Sequence, residues 1–289
     1  GPVDGRCPPL QVRVDQTATG SASLADQREV VADNRGLAWD VQPGALAEAV
    51  RCTTAVGPGA AVAAARPFGR LDRYLSGVGN GLAGQLEPCS LAIVDLGTVD
   101  GSGVSRQASA RAVDWQLAQL LATRPERSLV IVAGLADTAD TGRLHVAIAE
   151  GPGFRRGWLT SATTGRSGYV QLVDLAPTAL AALDRPAPRE LFSGAIAERR
   201  GGRPGSLAAA VDRLADADRQ AGVQRVVAAR FLIILAVGQI LLFWAVLPAL
   251  HRARRTAGRV VPRPLHASPP RRAAVLLVAP ALAVPAALV

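Results

Sequence analysis

"VQLVDLAPTALAALDRPAP", residues 170–188, reads as the end of a strand running straight into a short helix. Asp174 sits where an N-cap belongs, Pro177 falls in the first helical turn, and Leu180 and Leu183 supply an apolar edge. Proline is tolerated there because first-turn amides have no intrahelical partner. Working outward, "TTAVG" (53–57), "SLAIVDLG" (90–97), "SLVIVAGL" (128–135) and "LHVAIAEG" (144–151) each have a strand's length and flanking turn residues. The runs at 90–97 and 128–135 are almost unbroken in apolar character, as strands buried on both faces of a parallel sheet are. Between them Val113, Leu117, Leu120 and Leu121 line one face of a helix over 105–123, and "GALAEAVR" (44–51) is a second helical stretch. Strand, helix, strand order with short connections predicts an α/β fold, a mostly parallel sheet flanked by helices.

The chain has 289 residues, with no lysine and no methionine, so all 32 basic side chains are arginine. With abundant Ala, Gly and Pro, that bias fits a GC-rich genome better than a binding role. The missing initiator Met and the apolar C-terminus read as truncation at both ends. The formal charge of +9 is concentrated in "HRARRTAGRVVPRPLHASPPRR" (251–272), which holds seven Arg and no acid. A nucleic-acid binder would carry a basic stripe on its folded domain with interleaved aromatics, so no nucleic-acid partner is expected.

Those arginines lie beside apolar segments. "FLIILAVGQILLFWAVLPAL" (231–250) runs without a charge, enough for a helix to cross about 30 Å of hydrocarbon; Gln239 is its one strongly polar side chain. The stretch 273–289 reads as the start of a second span. The arginine-rich loop 251–272 is then cytoplasmic, and residues 1 to about 225 lie outside the plasma membrane of a multi-pass protein. The segment 195–230 is a linker followed by a polar-faced juxtamembrane helix that continues into the span. Cys7, Cys52 and Cys89 all fall in the outer region, where disulfides persist. Cys52 and Cys89 flank strands that are expected neighbours, and their pairing leaves Cys7 over. No CxxC or Cys/His cluster points to zinc.

The stretch 128–194 resembles the C-terminal part of the alkaline-phosphatase-like superfamily. The residues that carry the likeness are "SLVIVAGLADT", "LHVAIAEGPGFRRG", "VQLVDLAPTALAAL" and "APRELFSG", in the expected order and spacing. "PGALAEAV...TTAVGPGAA" resembles that fold's helix-then-strand segment, which extends the likeness over most of 43–194. The resemblance implies an extracytoplasmic, N-terminally truncated α/β domain over 1–194. In that family, Asp and His ligands hold one or two metal ions beside a nucleophile. Here the expected Asp-His pair is replaced by Ala133, Gly134, Leu135 and Ala136, with Asp137 following late. Two hard Lewis-acid sites cannot be built from one outer imidazole, His145, unless carboxylates supply the rest. Neither catalytic residues nor a metal or other cofactor is therefore assigned.

The best remaining polar cluster is "VDLGTVDGSG" (94–103). Asp95 and Asp100 lie at the carboxyl end of a buried strand, where ligands bind in open α/β sheets, and Asp137 is expected to join them. The plainer reading has Asp95 capping the loop, with the glycines relaxing the turn. "TSATTGRSG" (160–168) reads as a solvated loop rather than an anion cradle, and His145 as a satisfied or surface histidine. There is no Ser/His/Asp arrangement. The leading expectation is a degenerate, membrane-tethered domain that binds or assembles in the cell envelope, with the bilayer and an envelope or membrane protein as partners. The alternatives are an active phosphoryl or sulfuryl hydrolase with ligands upstream, and an accessory domain of a multi-span transporter or glycan-handling membrane enzyme.

Overall fold

The computed structural model describes residues 12–17, 21–35, 41–79, 82–99, 101–137 and 142–257. In chain order these form β1 (Val14–Gln16), β2 (Ala22–Leu24), α1 (Gln27–Arg35), α2 (Ala45–Val50), β3 (Thr53–Val56) and α3 (Pro58–Ala64). There follow β4 (Arg70–Leu71), β5 (Arg73–Leu75), α4 (Leu82–Leu86), β6 (Leu91–Val94), α5 (Gly103–Thr123), β7 (Val130–Ala133), β8 (Ala147–Glu150) and β9 (Trp158–Thr160). A 3-10 turn (Leu172–Asp174), α6 (Leu175–Ala182), β10 (Glu198–Arg200) and α7 (Leu207–Ala257) complete the elements of the described residues. Cys7, Asp100 and the stretch 273–289 lie outside the described residues, as does most of the loop 251–272. Two compact units divide near Leu214, the second holding most of α7.

The fold is mixed α/β with a small parallel sheet, ordered β5-β3-β6, flanked by helices. All four residues of β3 are buried. Helix α3 can pack closely on β3 because its buried residues, Ala60, Ala61 and Ala64, are all alanines, and they join Ala55 and Leu71 in one core cluster. A second cluster sets Leu180 of α6 against Val50 of α2 and Phe192. A third holds Val56 with Leu82 and Leu86, and Leu120 of α5 packs at its margin.

The fold departs from the expected one in four places. The run 128–135 becomes β7, paired antiparallel with β8 as a hairpin rather than joining the parallel sheet, and all its residues are half-buried. No strand leads into "DLAPT": Leu172–Asp174 form the 3-10 turn, because the Asp174 carboxylate accepts the Gln171 N–H at 2.7 Å and closes the chain on itself. The segment read as a linker contributes β10, antiparallel to β9. A further antiparallel sheet, β1-β2-β4, has no counterpart in the sequence reading.

Cys52 precedes β3 and Cys89 precedes β6, and the parallel register sets Thr53 opposite Leu91. Both cysteines therefore stand at the same end of neighbouring strands, and a disulfide joins them with 5.0 Å between the Cα atoms. At that end Arg66 also donates to the Arg51 carbonyl at 2.7 Å and pairs with Asp72 at 2.9 Å. Helix α7 is long and apolar enough over Leu207–Pro248 to cross a bilayer.

Candidate functional site

The carboxyl end of the parallel sheet is where an α/β fold exposes strand-end residues to a ligand. Asp95 stands there, one residue past β6, and its N–H continues the ladder to the Val56 carbonyl at 2.8 Å. Its carboxylate is spent locally. Oδ2 accepts the Gly59 N–H and Oδ1 accepts the Gly97 N–H, each at 2.8 Å. The turn Gly57-Pro58-Gly59 makes this approach possible: a Cβ on Gly59 would sit 2.6 Å from Asp95 Oδ2, and Gly57 has φ 90°. Asp95 thus ties the loop after β3 to the loop after β6, in line with its plainer reading as a loop cap.

Asp137 lies beyond β7, in the connection to β8. The hairpin register carries on past the strands, so the Arg143 N–H donates to Asp137 Oδ2 at 2.8 Å and His145 Nε2 approaches the same oxygen at 3.4 Å. About a quarter of the Asp137 side chain and a third of His145 remain exposed. Gly134 leaves room for the imidazole, since a Cβ there would meet His145 Nδ1 at 2.8 Å. Sequence reading treated Asp137 and His145 as unrelated; the signal was the apolar strand on each side of a glycine-containing connection, which spells a hairpin.

Asp95 and Asp137 belong to different sheets, and Asp100 lies outside the described residues. Among the described residues no three His, Cys, Asp or Glu side chains gather into a metal-binding group. One Asp-His couple does not fit the two-metal or one-metal ligand set that the alkaline-phosphatase resemblance implies.

Among the described residues the most heavily bonded carboxylate is that of Asp174, which the sequence marks only as a cap. Asp174 is fully buried and its side chain does not cap α6. It accepts from Ser161 Oγ at 2.7 Å, from Thr163 Oγ1 at 2.7 and 2.9 Å, from the Gln171 N–H and from the Ala195 N–H at 2.9 Å. Burial pushes the Asp174 carboxyl up, but these donors together outweigh it and hold the group below the ordinary carboxylate value. Thr178 extends the clasp: its hydroxyl donates to the Asp174 carbonyl at 2.6 Å and accepts the Ala197 N–H at 2.8 Å. Gly194 is needed because a Cβ there would collide with the Val173 carbonyl. The loop expected to be solvated, 160–168, instead turns Ser161 inward, leaving it 4% exposed. The two polar side chains of "DLAPT" therefore bind three chain segments together.

No family model, curated protein or solved structure matches the chain.

Proposed function

We propose that this chain is a membrane-tethered, extracytoplasmic domain of degenerate alkaline-phosphatase-like type, with a binding or assembly role in the cell envelope and no metal-dependent catalysis. The observation that carries this reading is the engagement of Asp95. It is the carboxylate best placed at the sheet's functional edge, and both its oxygens are taken by backbone N–H groups. Those bonds fix the carboxylate to its own loops, and among the described residues no three His, Cys, Asp or Glu side chains gather to complete a metal's ligand shell. The apolar helix α7 supports the tether, and the seven arginines that follow 250 without an acid support a cytoplasmic loop and a multi-pass topology. Parallel strands with alternating helices support the fold assignment.

One observation favours the hydrolase alternative. The Asp137–His145 contact at 3.4 Å rebuilds an Asp-His couple near the end of β7, close to where the resemblance places one. The deciding assay supplies the full chain in detergent with Zn²⁺, Mn²⁺ or Mg²⁺ and offers aryl phosphate, phosphodiester and sulfate esters. No metal-dependent turnover is expected. Turnover that vanishes in Asp137→Ala and in His145→Ala would replace this reading with the hydrolase.

A further inference from the structure

Within the apolar run of α7, half-burial is confined to one line. Leu235, Gln239, Leu242 and Val246 are half-buried, and every other residue from 231 to 248 is exposed. Their spacings of four, three and four residues put them on one face, the kind of seam along which a second helix packs. Gln239 stands in the middle of that seam and is the run's one strongly polar side chain. An amide carried into hydrocarbon is costly unless a neighbouring chain takes up its N–H groups, so a polar side chain in a span faces a partner rather than lipid.

The chain itself holds a segment that calls for such a donor. The stretch 273–289, "AAVLLVAPALAVPAALV", lies outside the described residues, and its sequence carries Pro280 and Pro285 with no polar side chain. Proline has no N–H for the carbonyl four residues back, so a helix through Pro285 would leave the Ala281 carbonyl without its donor. Transmembrane helices tolerate this where a neighbouring helix supplies the missing donor. Depth matches the two groups. Counted from the arginine-rich loop, Gln239 lies about 16 Å into the apolar run that ends at 250. The Ala281 carbonyl would lie about 14 Å into the run that starts at 273, within reach of the amide. At matching depths Leu277, Ala281, Val284 and Leu288 repeat the four-three-four spacing and offer the seam a wholly apolar line. The loop between the runs holds them at high effective concentration, an advantage that a separate chain lacks.

We propose that the Leu235–Val246 seam of α7 receives the stretch 273–289 as an antiparallel helix, with the Gln239 amide donating to the Ala281 carbonyl that Pro285 frees. This rests on the membrane topology proposed above. The test oxidises paired cysteines in the full chain, inserted in cell membranes on a Cys7→Ser background, and maps the linked peptides by mass. Val246→Cys with Leu277→Cys should link within one chain. Trp244→Cys with Leu277→Cys should link far more slowly, because Trp244 is 75% exposed and residues two apart on a helix do not share a face. Gln239→Leu should slow the first link about threefold, the usual size of one interhelical hydrogen bond in a bilayer. Pro285→Ala, which restores the N–H that Ala281 lacks, should slow it as much, and the two together no more than either alone. Equal linking from the two faces, or a link that Gln239→Leu leaves unchanged, would overturn the proposal. So would Val246→Cys alone joining two chains, which would assign the seam to a second copy. An unlinked chain whose Ser268→Cys takes an impermeant maleimide only after the membrane is opened would refute the docking alone. Labelling of Ser268→Cys from outside would refute the topology on which the docking rests.

Discussion

Strands β3 and β7 are both four residues long, and β7 is the more apolar: Val-Ile-Val-Ala against Thr-Thr-Ala-Val. Yet β3 buries every residue, and β7 leaves every residue half-buried. The difference lies in their neighbours. β3 has a strand on each side, α3 on one face, and the close packing that alanine side chains permit. β7 has only β8 beside it among the described residues, and β8 itself leaves Ile148 half exposed. Helix α5 shows the same thing at larger scale: its 21 residues include none that is buried. Apolar character sets what a strand can bury; the number of layers around it sets what it does bury.

The largest effect is expected where the buried region is clasped. Asp174→Ala leaves Ser161, Thr163 and two backbone N–H groups without their acceptor in a site closed to water. A loss of about 3–5 kcal/mol is expected, read as a shift in the urea midpoint of the full chain. The clasp also titrates. Because the folded-state pKa of Asp174 lies below its unfolded value, the stability it contributes is complete above about pH 4 and falls away as pH drops through the depressed folded value. Asp174→Ala should remove that part of the acid sensitivity. An acid limb of unchanged steepness would show that the sensitivity comes from other groups.

The comparison itself can be broken by matched truncations. Val56→Ala in β3 removes two methyl groups from a site with no exposure, and a loss of about 2 kcal/mol is expected. Val132→Ala in β7 removes the same atoms from a half-buried site and should cost less than about 1 kcal/mol. Equal losses in the two variants would mean that β7 is as deeply covered as β3 in the folded chain.

Much of the fold was legible in sequence. Strand β6 stood out by its nearly unbroken apolar run and helix α5 by its 3.6-residue period, while β3 was marked by its length and flanking turn residues and α2 by the proline ahead of a helical stretch. The disulfide could be anticipated because Cys52 and Cys89 each flank an expected strand. The sheet β1-β2-β4 was not legible, since strands of two or three residues carry no period to detect. At the candidate site, Asp95 announced itself by following an apolar run and preceding a glycine. The Asp174 clasp did not, because its donors come from 161, 163, 171 and 195, and nothing local to "DLAPT" names them. The hairpin that pairs Asp137 with His145 was hidden by reading two apolar strands as members of one parallel sheet.

The smallest effect sharpens the comparison inside the buried region, where two threonines of similar burial should respond to one substitution with opposite signs. Thr54 in β3 is fully buried, and its hydroxyl has no hydrogen-bond partner among the described residues. Valine is nearly its isostere, suits a strand better and removes a desolvated O–H, so Thr54→Val should stabilise the chain by about 1 kcal/mol. Thr178 is 3% exposed, but its hydroxyl both donates to the Asp174 carbonyl and accepts from Ala197. Thr178→Val deletes both bonds and strands a backbone N–H, so a loss of about 2 kcal/mol is expected. Thermal melts of the two variants beside the unaltered chain decide the matter. Destabilisation by Thr54→Val would mean that its hydroxyl is bonded in the folded protein, and that β3, the most deeply buried strand, holds a polar contact at its centre.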